Sequence, residues 1–178
     1  MSTFESDRSF FALFQLPETY SVDTAELEQR YRQLQREVHP DKHVNADPAQ
    51  RRRSVEQSAL VNEAYQTLRQ PVARAMYLLK RQSFNGDMDN RSLPPAFLMQ
   101  QIELREALAQ VRESTDPEGA VDQLDQQLRF MMEENTCAFA DAYECGDLDR
   151  AADAVARMQF VTKLAAELER IESELLDD

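Results

Sequence analysis

His39, Pro40 and Asp41 place an imidazole and a carboxylate on either side of a proline. Proline fixes its own φ and turns the residue before it away from the helical region. A helix reaching Val38 must therefore stop there, and the tripeptide becomes a stiff elbow. Such an elbow offers both polar groups to another macromolecule in one geometry. Its chemistry is docking through charge and hydrogen bonds. With Leu34 facing the core, Arg32 and Arg36 fall on the other side of the same helix at roughly 100° per residue, and Lys42 follows the elbow. Together they make a local basic patch suited to an acidic partner groove. Arg30 sits nearer the core edge and ranks below them. A metal site does not fit. His39 and His43 are four apart, Pro40 breaks the helix that would align them, and there is no third His and no nearby Cys. No metal or other cofactor is expected.

A second candidate lies at 97–111. Phe97, Leu104, Leu108 and Val111 form one stripe, enough to face a core. Leu98, Met99 and Ile102 fall nearly opposite it, bordered by Glu103 and Glu106. A bundle helix needs one apolar face, so a second points to a contact surface, and Met suits adaptable surfaces. The competing reading is packing against the rest of the chain or a dimer partner.

The elements that must position these residues are helices. The 178 residues contain only 3 Gly and no Trp, and abundant Ala, Leu, Glu, Gln and Arg favour helix over sheet. Phe10, Leu13 and Phe14 predict a short first helix ended by Pro17. Asp23 and Glu26 predict the start of a second that runs to about Val38, with Leu27, Tyr31, Leu34 and Val38 as its buried stripe. Pro48 opens a third, carrying Val61, Tyr65 and Leu68, and Pro71 opens a short segment through Leu79. After a linker come three longer helices: 95–113, one opened by Asp116 and Pro117 and ended by Gly146, and one capped by Asp147. Val121, Leu124, Leu128, Met131, Asn135 and Ala138, then Val161, Leu164, Leu168, Ile171 and Leu175, give the last two their stripes. The expected architecture is all-α: an antiparallel helical hairpin with short bracing helices at 1–80, a linker at 81–94, and a three-helix bundle at 95–178.

Charge divides the same way. Residues 1–80 balance 11 Lys+Arg against 11 Asp+Glu, whereas 81–178 hold 9 against 22, and the chain carries −13 overall. The acidic half argues against nucleic-acid binding. No apolar window is long enough to span a bilayer, and the N-terminus does not read as a signal peptide, so the expected address is the cytoplasm, with no membrane partner. Cys137 and Cys145, eight apart on one helix, cannot pair with each other and are read as small apolar side chains.

Three blocks in order resemble one family. H-P-D-K at 39–42 and V-N-E-A-Y-Q-T-L at 61–68 resemble a J-domain, the module by which co-chaperones engage DnaK-type ATPase chaperones. P-V-A-R-A-M-Y-L-L at 71–79, F-L-M-Q-Q-I-E-L-R-E at 97–106 and the acidic helical end resemble the HscB family of iron–sulfur-assembly J-proteins, over nearly the whole chain. The Gly/Phe-rich and zinc-finger regions of DnaJ-like proteins do not occur in it, so general unfolded-client binding is not expected. The resemblance implies that His39, Pro40, Asp41, Lys42, Arg32 and Arg36 dock on an HscA-type chaperone and promote its ATP hydrolysis. It also implies that Leu98, Met99, Ile102, Glu103, Glu106 and Phe160 bind the IscU-type scaffold on which clusters are built. The expected protein is a monomeric adaptor, not an enzyme.

Two other classes compete. A helical-bundle carboxylate metalloenzyme needs E-x-x-H motifs, and neither His stands in one. An acidic protein that merely oligomerises through the second stripe leaves the tripeptide unexplained.

Overall fold

Four aspartates start the principal helices. Asp23 Oδ1 accepts from the backbone N–H groups of Ala25 and Glu26 at 2.9 and 3.1 Å, and Asp47 Oδ1 accepts from Gln50 at 2.8 Å. Asp116 Oδ1 accepts from Gly119 at 3.1 Å and Asp147 Oδ1 from Arg150 at 3.0 Å. Each satisfies N–H groups that the helix itself leaves unpaired. Prolines occupy the following position in two of these helices, where a missing N–H costs nothing. The computed structural model describes residues 9–38, 47–84, 91 and 93–177. Those residues form α1 (Phe10–Leu13), α2 (Thr24–Val38), α3 (Pro48–Arg69), α4 (Pro71–Arg81), α5 (Pro95–Gln110), a 3₁₀ turn (Val111–Glu113), α6 (Pro117–Glu144) and α7 (Leu148–Asp177), with no strand among them. Two units result, one ending at Leu78 and one beginning at Leu79.

In the first unit α2 and α3 pair. The Tyr31 and Tyr65 rings stack with centroids 3.9 Å apart, and the Tyr31 hydroxyl donates to Asn62 Oδ1 at 3.0 Å. Gln35 Nε2 donates to the same two oxygens. At the far end the buried Ser54 hydroxyl donates to the Val38 carbonyl at 2.6 Å. That carbonyl ends α2 and would otherwise lack an intrahelical partner. The stripe expected on α2 is present, with Leu27 and Val38 buried and Tyr31 and Leu34 half-buried.

α1 departs from expectation. It is a single turn ending at Leu13, well short of Pro17. Its buried residues are Phe11, Leu13 and Phe14, while Phe10 is half-buried and stacks on Tyr77 at 4.5 Å. The reason is Gln15, whose φ of 54° reverses the chain. Leu16 N–H then closes on the Phe11 carbonyl at 2.9 Å, a left-handed helix cap. Arg30 holds this turn by donating to the Phe14 and Gln15 carbonyls.

In the second unit Phe97, Leu104, Leu108 and Val111 meet Val121, Leu124, Leu128 and Met131 of α6 and Phe160, Val161, Leu164, Leu168 and Ile171 of α7 in one buried cluster. Every member of the stripe expected at 97–111 is in it, the last of them, Val111, from the 3₁₀ turn that follows α5. The tight turn at Gly146 (φ +74°) reverses the chain between α6 and α7, which form the dominant helix pair. Asn135 is buried on the α6 stripe and donates to the Met131 carbonyl one turn back at 2.7 Å. The next apolar position is filled by Phe139, fully buried, rather than by the half-buried Ala138. Cys137 and Cys145 are exposed free thiols, which corrects their reading as apolar filler: both fall off the stripe that packs.

Part of the expected linker is fastened down. Arg91, its side chain 15% exposed, donates through Nε to Asp153 Oδ1 at 2.7 Å and through Nη2 to the Asp149 carbonyl at 2.9 Å and carboxylate at 3.3 Å. Its guanidinium also lies 5.6 Å over the Phe84 ring. Burial by itself would lower the Arg91 pKa, but the carboxylates of Asp153 and Asp149 outweigh it and hold it raised.

Candidate functional site

The elbow residues His39, Pro40, Asp41 and Lys42 lie outside the described residues. The helix that leads into them is described to its last turn. Arg32 and Arg36 are both exposed on α2, on the side away from Leu27. Arg32 pairs with Glu28 one turn earlier, with 71% of its side chain still accessible. Arg36 Nε donates to the Arg32 carbonyl at 3.3 Å. An exposed i,i+4 pair of this kind is worth only a few tenths of a kcal/mol, so Arg32 can exchange its carboxylate for another at little cost. Arg30 is committed elsewhere, to Glu26 and to the α1 turn, which separates it from the other two.

The second candidate surface lies on α5. Pro94 and Pro95 start that helix, and its core stripe fixes its rotation. Leu98, Ile102 and Met99 then fall roughly 100°, 140° and 200° round from Phe97, clear of the core. They are 48%, 51% and 58% exposed. Glu103 and Glu106 are exposed beside them. Three large apolar side chains in two turns, all about half accessible, make a contiguous patch of the kind that marks an interaction site.

Phe160 does not share that exposure. It is buried on α7, in the core cluster, and meets Phe97 edge-on with centroids 5.7 Å apart and planes at 83°. It backs α5 from beneath, where Leu98, Met99 and Ile102 are exposed.

Sequence reasoning passed over three residues near or beyond this patch. The Arg105 guanidinium lies 6.0 Å over Phe160, and that of Arg157 lies 5.3 Å over Phe97. The usable signal was spacing: Arg105 follows Ile102 by three and Leu98 by seven. The third is Phe130, 61% exposed on the outer side of α6, visible in the sequence as an aromatic residue off the α6 stripe. Among the described residues no three His, Cys, Asp or Glu side chains gather as a metal site, and no helix is long and apolar enough to cross a membrane.

Comparison with known proteins matches both units. The family described as "DnaJ domain" matches residues 9–77, and the one described as "HSCB C-terminal oligomerisation domain" matches 93–169. A co-chaperone protein HscB homolog from Photobacterium profundum is 38% identical over 168 residues, covering 94% of this chain and 98% of the relative. The chain belongs to the HscB co-chaperone family. Another HscB homolog, from Shewanella oneidensis, is 41% identical over 173 residues, covering 95% of this chain and 99% of its own. The solved structure of the chaperone HscB from Vibrio cholerae superposes with a TM-score of 0.86 at 36% identity, covering 94% of this chain and 99% of that one. Human HscB superposes at 0.87 and 28% identity, covering 94% and 84%. This HscB-family chain is thus a J-domain protein with an HscB C-terminal domain, all-α as the helical periodicities required.

Proposed function

We propose that this chain couples two partners. Its first unit, through His39, Pro40, Asp41, Lys42, Arg32 and Arg36, docks on an HscA-type ATPase chaperone and stimulates ATP hydrolysis. Its second unit, through Leu98, Met99 and Ile102 with Glu103 and Glu106 around them and Phe160 beneath, carries an IscU-type iron–sulfur scaffold to that chaperone. The adaptor makes and breaks no bond itself. One body holding both partners raises the client's concentration at the chaperone to an effective value on the order of millimolar, which speeds cluster assembly and transfer in the cytoplasm.

The observation that carries this reading is the double-faced α5. One stripe of the helix is spent on the core, and the three residues on its other side are left half-exposed. Family membership supplies the class of partner. The reading also takes the adaptor as a monomer in solution. Sedimentation of the purified chain as a single species of 20.6 kDa is the expected result, and a stable larger species would overturn the monomer.

The deciding experiment is a single-turnover ATPase titration of an HscA-type chaperone, with and without scaffold. Wild type should accelerate hydrolysis, and more so with scaffold present. Asp41→Asn should keep the helical signal and abolish the acceleration. Undiminished stimulation by Asp41→Asn would remove the elbow from the mechanism.

A further inference from the structure

Residues 81–178 hold 22 Asp+Glu against 9 Lys+Arg, so an arginine there has ample carboxylates to pair with. Arg91, Arg112 and Arg129 do so. For Arg105 and Arg157, as for Arg150 and Arg170, no ion pair is seen among the described residues, but the first two differ in their surroundings. Each lies over an aromatic ring instead: Arg157 over Phe97 at 5.3 Å and Arg105 over Phe160 at 6.0 Å. The two rings touch, so the two guanidinium groups straddle one aromatic pair at the seam between α5 and α7. Arg157 Nε is buried without a hydrogen-bond partner. Arg105 is exposed one turn beyond Ile102, which puts this seam along one edge of the apolar patch. Glu103 and Glu106 lie toward its other edge.

A guanidinium lying over a ring is held in place by cation–π attraction, leaving donors at its edge free to bind. It is weakly hydrated and already ordered, so accepting a carboxylate costs it less desolvation and less side-chain entropy than a free lysine would lose. We propose that Arg105 and Arg157 together clamp an acidic edge of the same client that covers Leu98, Met99 and Ile102, each guanidinium offering its free donors to carboxylates there. The clamp rests on the reading of α5 as the scaffold-binding surface and adds what that reading lacks, a determinant of orientation. The client surface that fits is apolar in the middle, acidic on the side facing α7 and basic on the side facing Glu103 and Glu106. Docked the other way round, like charges would meet on both flanks, which selects one orientation.

The test uses the full chain and a purified IscU-type scaffold, titrated calorimetrically at several salt concentrations. The double variant Arg105→Gln, Arg157→Gln should bind about tenfold or more weakly, the loss expected for a charge-assisted hydrogen-bond pair. Its affinity should also depend less steeply on salt. Arg105→Lys, Arg157→Lys keeps the charge without the fork and should recover part of the affinity and the full salt dependence. Leu98→Ala should weaken binding and leave the salt dependence as it was. A Gln double variant that binds like wild type overturns the clamp while the scaffold reading stands. So does one whose affinity falls with unchanged salt dependence and a lowered melting temperature, since the arginines would then be mere braces for the rings. Wild type that does not bind the scaffold at all overturns the scaffold reading and the clamp together.

Discussion

The α2–α3 hairpin and the α5–α7 bundle are both built from paired helices, yet they present function in opposite ways. The hairpin's seam is studded with polar contacts: Tyr31, Gln35 and Asn62 share hydrogen bonds across it, and Ser54 holds the last carbonyl of α2. Such directional contacts fix register and angle, which suits a unit whose proposed working part is a bend in the backbone. The bundle's interior is a large apolar cluster, and its one buried polar side chain among the described residues of α6, Asn135, bonds within its own helix and not across the seam. Apolar packing is tolerant of detail and generous in stability, which suits a unit whose proposed working part is a set of side chains on an outer face. Disturbance of geometry should therefore silence the first unit, and disturbance of surface chemistry the second.

The sharpest way to break that contrast is to set two substitutions on α5 against each other. Leu104 is 2% exposed in the core cluster, and Leu104→Ala should cost about 2–5 kcal/mol of stability through lost burial and the cavity left behind. Leu98, Met99 and Ile102, replaced together by Ala, should lower scaffold affinity by 100-fold or more (about 3 kcal/mol) and leave the melting temperature within a few degrees of wild type. Thermal denaturation and calorimetric titration of both variants give the answer. A triple variant as unstable as Leu104→Ala would show that the outer stripe is packing, and the difference between the two units would vanish.

The same helix shows how far the sequence could be read. Period alone separated the two faces of α5, because its large apolar side chains fall into two groups on opposite sides at about 100° per residue. Asp23, Asp116 and Asp147 were equally plain as helix starts, since capping is local chemistry. What could not be read depends on contacts far apart in the chain. The burial of Phe160 is of this kind, since it comes from packing against residues of other helices, Phe97 of α5 among them. α1 was misjudged in length because Gln15 carries no mark of a left-handed residue. The turn it makes is held by Arg30, fifteen residues on, whose guanidinium donates to the carbonyls of Phe14 and Gln15. Arg91 looked like linker composition, and its two carboxylate partners are some sixty residues away.

A smaller effect should separate stability from function in the hairpin. Ser54→Ala removes the donor to the buried Val38 carbonyl and should cost about 1–3 kcal/mol. Because Val38 is the residue on which the elbow begins, chaperone stimulation should fall by more than the loss of folded protein explains. ATPase titration corrected for the folded fraction tests this. Stimulation that falls only in proportion to folding would place the hairpin's polar contacts in the same class as the bundle's packing.

The smallest expected effect concerns Arg91. Arg91→Gln removes a largely buried cation from two carboxylates and an aromatic ring. Gln keeps some hydrogen-bonding capacity and Asp149 is exposed, 85% of its side chain accessible. The cost to stability should therefore be about 1 kcal/mol, closer to a partly exposed pair than to a buried one. Urea denaturation measures it. Hydrogen exchange at the start of α7 adds the more telling readout, because losing this tie should speed exchange there and leave the α6–α7 core unchanged. Equal loosening along the whole of α7 would mean that this single polar tie governs the bundle as strongly as its apolar core, against the division of labour drawn between the two units.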